Sequence, residues 1–88
     1  MEFRWNDWNR GHIAIHGVKP LQAEYVVRRA RAPFPQEKGD GKFLVMGPDE
    51  NGLLLRVIFV LDPDGTIFVI HAMTLSERDK KRYRRRMR

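Results

Sequence analysis

The chain has 88 residues, 42% of them hydrophobic and 32% charged, and no cysteine. That length fits one domain, and a domain so short buries only about 60–65% of the surface its unfolded chain exposes. The absence of Cys excludes a disulfide framework and a thiolate metal site. The net charge of +6 is local: residues 78–88 hold eight Arg or Lys and one Asp, whereas residues 1–77 hold nine bases and ten acids. A basic block of this kind is an electrostatic footprint for a polyanion. On charge alone the partner is RNA, DNA, an anionic membrane surface or an acidic protein. No apolar run approaches the roughly 18 residues of a membrane span. No apolar segment follows Arg4 as in a signal peptide, so Met1 reads as a native start and a cytoplasmic location is expected.

Phe3 and Trp5 alternate with polar residues and predict a short first strand. Asn6 or Asp7 can cap a helix in which Trp8, His12 and Ile15 recur at helical spacing. Gly17 is placed to end it in a left-handed conformation. Pro20 suits the first position of a second helix, with an apolar side made by Leu21, Tyr25, Val26, Val27 and Ala30. Residues 32–41 are rich in Pro and Gly and read as a loop with room for a brief edge strand. Three strands follow: Lys42 to Gly47, Leu53 to Leu61 and Thr66 to Met73, separated by the turns at 48–52 and 62–65. Ser76, with Asp79 at the capping-box position, starts a final basic helix over about 76–88. The expected order is β-α-α-β-β-β-α, an α+β fold around a central antiparallel sheet.

Within the most apolar strand Arg56 is the one charged residue, and a guanidinium there needs a partner or water. The next strand has one ionisable side chain, His71. If 62–65 is a four-residue turn, position 61 pairs with 66 and Arg56 faces His71. A two-residue turn keeps the two on one face, and a three-residue turn separates them. In the first case Leu55, Val57, Phe59 and Leu61, with Phe68, Ile70 and Ala72, form the core face. Ile67, Val69 and Met73 then share His71's face. The structural reading of Arg56 is an ion pair with Glu24 or Glu77. His12 and His16 are four apart and share a helix side. The pair lacks the Glu of a zinc-protease motif and an evident third ligand, so no metal or other cofactor is expected. His16 beside Gly17 suits a helix C-terminus. In the last helix Tyr83 and Met87 make a stripe too narrow for a membrane-surface helix. Either the helix is solvated or it lies on a phosphate backbone.

The segments Trp5-Asn6-Asp7-Trp8-Asn9, HIAIHGVKPLQAE (12–24), KFLVMG (42–47), LLLRVIFV (53–60) and VIHAMTLSERDKKRYRRR (69–86) together resemble BrnT-type toxins over nearly the whole chain. The resemblance implies a RelE-like fold and a bacterial ribonuclease that blocks translation without a metal. It also implies a cognate antitoxin, through which alone operator DNA is contacted, and RNA, free or ribosome-bound, as the target. No membrane partner is implied. Where the family's last strand ends in Ala-Arg, this chain has Ala72-Met73. The expected catalytic set is His71 as acid or base, Arg56 on the phosphate and Lys42 as a second cation. Arg78, Lys81, Arg82 and Arg85 would hold RNA backbone. The alternative is a catalytically weakened or inactive relative that binds nucleic acid or the antitoxin.

Overall fold

The computed structural model describes residues 1–87. It is an α+β fold of three helices and one four-stranded antiparallel sheet. Helix α1 spans Asp7–Ala14 and α2 Pro20–Arg28. The sheet is a meander of β1 (Gln36–Gly39), β2 (Lys42–Pro48), β3 (Leu54–Leu61) and β4 (Ile67–Thr74), in that order across it. Helix α3, Glu77–Arg86, ends the fold. Among the described residues no helix is long and apolar enough to cross a membrane.

Local chemistry explains the helix ends. Asn6 Oδ1 accepts from the Asn9 N–H and Asn9 Oδ1 accepts from the Asn6 N–H, a reciprocal cap at the start of α1. Asn9 Nδ2 also donates to the Arg4 carbonyl, so an amide with every group engaged is fully buried. Gly17 takes φ +73° after α1, as its position predicts. Pro20 opens α2, and the Lys19 N–H is met by Gln22 Oε1. Ser76 Oγ accepts from the Asp79 N–H at the start of α3.

Both helices of the first half bury narrower faces than their spacing predicts. In α1 the buried residues are Asn9 and Ile13, while Trp8 is 57% and Ile15 77% exposed. In α2 they are Ala23, Val26 and Val27, and Leu21 is exposed. These side chains cover one face of the sheet, where Val45, Leu55, Val57, Phe59, Ile67, Val69 and Ala72 complete the core. The expected first strand shrinks to one parallel bridge, Phe3 to Ile67. It is held by the Arg4 N–H to the Ile67 carbonyl and the Ile67 N–H to the Glu2 carbonyl. The loop read at 32–41 supplies the brief edge strand, so four strands pair rather than three.

The pairing of β3 with β4 departs from every register that the turn residues suggest. Leu61 pairs with Ile67, leaving the five residues 62–66 as the loop. Continued regularly, that odd loop would set Arg56 against Ala72 and place His71 on the opposite face. A bulge intervenes: Phe59 pairs with Val69, but Ile58 pairs with His71, so Ile70 is extra. Arg56 therefore faces Met73, not His71. Ile67 and Val69, expected beside His71, are buried in the core, and Phe68 and Ile70, expected in the core, are only partly buried. Beyond the bulge the alternation is as expected, with Ala72 inside and Met73 outside.

Candidate nucleic-acid interface

The sheet face opposite the buried core carries Leu44 and Met46 from β2, Arg56, Ile58 and Val60 from β3, and Phe68, His71 and Met73 from β4. Arg56 and His71 are diagonal neighbours there, because His71 faces Ile58, two residues from Arg56. The bulge thus brings the two expected residues together by a different register. Lys42 lies on the same face but opposite Val60, whereas Met46 is opposite Arg56. Four strand positions separate them, about 13 Å. Lys42 is not gathered with Arg56 and His71.

Arg56 is partnered by neither Glu24 nor Glu77. Its Nη1 lies 3.5 Å from Asp79 Oδ2, across the gap to α3. Glu24 instead accepts from Trp5 Nε1 at 2.7 Å, and Glu77 takes Lys80. Asp79 caps with its backbone only, since its carboxylate is turned toward Arg56. The Arg56–Asp79 pair is partly solvated, with side chains 31% and 18% exposed. Arg56 Nε is buried and has no hydrogen-bond partner among the described residues. One donor of the guanidinium is therefore spent on Asp79 while another is unsatisfied.

Helix α3 makes a groove against the open face. Its walls are Gln36 and Lys38 of β1, Leu44 and Met46 of β2, Arg56 of β3, and Asp79, Arg82, Tyr83 and Arg86 of α3. Four cations and one carboxylate converge on it. Tyr83 and Met87 anchor the helix: Tyr83 stacks on Phe34 with centroids 6.3 Å apart, and both side chains pack against the core. Arg78, Lys81, Arg82 and Arg85 share the exposed side of α3 by its 3.6-residue period, so the expected backbone-contacting set forms one stripe, with Arg82 at the groove. Lys38 and Arg86 join the groove unforeseen. Lys38 becomes visible only once β1 pairs with β2. Asp79 had a signal in the sequence, as the single acid within the basic block.

Two of the three histidines meet beside the groove. His16 meets His71 edge to face, with ring centroids 5.4 Å apart. His12 stacks on Trp8 at 4.9 Å, and Trp8 stacks on Phe68 at 6.0 Å. Burial holds the His71 pKa below the usual imidazole range, and the positive fields of Arg56, His16 and His12 push it the same way. His71 is therefore an unprotonated base at neutral pH. Among the described residues no three of His, Cys, Asp or Glu are gathered to hold a metal ion. No family model, curated protein or solved structure matches this chain.

Proposed function

We propose that this chain is the ribonuclease of a type II toxin–antitoxin pair, a BrnT-type toxin with a RelE-like fold, that cuts RNA without a metal. The observation that carries the reading is the placement of an imidazole, His71, diagonal to a guanidinium, Arg56, on one open sheet face beside a cationic groove.

Metal-free cleavage uses the RNA's own 2′-hydroxyl. Its oxygen attacks the adjacent phosphorus as a base takes its proton. The bond from phosphorus to the 5′-oxygen breaks, and an acid protonates that oxygen. The products are a cyclic phosphate and a free 5′-hydroxyl. His71 suits the base, since its depressed pKa leaves it unprotonated. His16, in ring contact with His71, is the second imidazole within reach and takes the acid role. Arg56, whose side chain is 31% exposed and diagonal to His71, binds the charge that grows on the phosphate. Lys38, Arg82 and Arg86 receive the flanking phosphates, the outer stripe of α3 extends that track, and Lys42 meets the strand farther along the sheet. A cognate antitoxin restrains the enzyme by covering this face.

One observation favours the binding-module alternative. Met73, which stands directly opposite Arg56, occupies the position where the resembled family has Arg. A chain lacking that cation would hold RNA or antitoxin on the same groove without cutting. Incubation of a labelled RNA in EDTA with the parent and with Arg56→Ala/His71→Ala decides between them. Cleavage by the parent alone supports the enzyme. Salt-dependent binding without cleavage supports the module.

A further inference from the structure

The aromatic row that leads to His71 has no part in the chemistry above. Trp8 projects from the first turn of α1, and its indole lies nearly parallel to the rings of His12 (10°) and Phe68 (15°). The Arg4 guanidinium sits 4.1 Å over the Phe68 ring. Despite these contacts the Trp8 residue is 57% exposed. The indole is held in a fixed plane by these stacks rather than left to rotate. One helical turn beyond His12, about 6 Å on, comes His16, which touches His71. His71 is the diagonal neighbour of Arg56, whose groove holds the cations. Planar faces thus run in series into phosphate-binding positives. That is the arrangement that single-stranded nucleic acid needs, with bases on aromatic rings and the backbone on cations.

We propose that Trp8, backed by His12 and Phe68, is a stacking platform for one unpaired nucleobase of the RNA whose backbone lies at Arg56. The inference rests on the reading of the face as an RNA site and names what that site takes: a single strand, with the base of a neighbouring nucleotide lifted onto Trp8. A duplex hides its base faces within its own stack and gains nothing from the indole.

Equilibrium binding of the full chain tests this with three probes of equal length: a 2′-O-methyl uridine oligomer, which cannot be cleaved, an abasic oligomer and an RNA duplex. Trp8→Ala is expected to weaken binding of the uridine oligomer about 5- to 150-fold, the range for loss of one base–aromatic stack, and to leave the other two probes unchanged. Trp8→Phe, which keeps a smaller ring, falls between. Equal binding of the uridine oligomer by the parent and Trp8→Ala overturns the platform while leaving the RNA site standing. If the parent binds none of the three probes, the RNA site falls together with the platform. Circular dichroism of Trp8→Ala separates lost stacking from lost fold, and at an exposed position the fold is expected to survive.

Discussion

The two faces of the sheet are made by alternate residues of the same strands, yet they have opposite characters. Leu55, Val57, Phe59, Ile67, Val69 and Ala72 are buried under α1 and α2 with no polar side chain among them. Arg56, Ile58, Val60, Phe68, His71 and Met73 are only partly buried, and two of the six are ionisable. Helix α3 covers part of this second face, and it brings charge as well as apolar contact. The difference teaches how a small domain divides its labour. One face supplies burial, and the other is left incompletely covered.

This division makes predictions, the largest of which concerns chemistry. His71→Gln keeps the size and polarity of the side chain, and is expected to lower RNA cleavage by about 10²–10⁴-fold, the usual worth of a general base. Denaturant midpoints should barely move. A variant that cleaves like the parent places the base elsewhere. On the covered face the effect should be on stability: Leu55→Ala removes a fully buried side chain and should cost about 2–5 kcal/mol by urea unfolding. Ile58→Ala, one step along β3 on the open face, should cost clearly less. Equal costs would mean that the second face is as well packed as the first.

A smaller effect is expected across the groove. Asp79→Asn frees the Arg56 guanidinium, so affinity for RNA should rise in a filter-binding titration. Stability should fall by no more than about 1 kcal/mol, as for other partly exposed ion pairs. Weaker RNA binding would show that Asp79 orients Arg56 rather than competing for it. The smallest effect is a pH dependence. His71 has a lower pKa folded than unfolded, so the unfolded chain takes up the proton first. Stability should therefore decline as pH falls below about 6.5, with the loss complete below the folded value. His71→Gln should flatten that part of the profile. An unchanged slope would assign the proton to another group.

Much of the fold can be read from local signals, and the exceptions share a cause. Asn6, Gly17, Pro20 and Ser76 mark helix ends through chemistry that a few adjacent residues supply, and all four stand where they were expected. The faces of β3 follow from Arg56 alone, since one charge in an apolar run sets the phase. In β4 the residues Ile67 to Ile70 are all apolar, so no pattern announces which pair turns inward. Helix α1 misled for a related reason. Asn9 is buried because Asn6 and Arg4 satisfy its amide, while the bulkier Trp8 is left in water. Of the site, Arg56 and His71 were legible as ionisable exceptions in apolar strands. Lys38, Arg86 and the aromatic row were not, because they come together through long-range pairing and helix docking. Lys42 was misjudged through distance along the strand, which composition does not record.

The bulge at Ile70 has an evolutionary consequence. What places Arg56 and His71 on one side of the sheet is a parity: the residues between them must count up to the right remainder on division by two. The five residues of the 62–66 loop have the wrong remainder, and the one extra residue in β4 restores it. A single deletion in either place breaks the pairing of the two side chains, whereas a deletion in one matched by an insertion in the other preserves it. Relatives of this chain can therefore change the turn by one residue only if the bulge changes with it, whereas a change of two residues in the turn alone keeps the site.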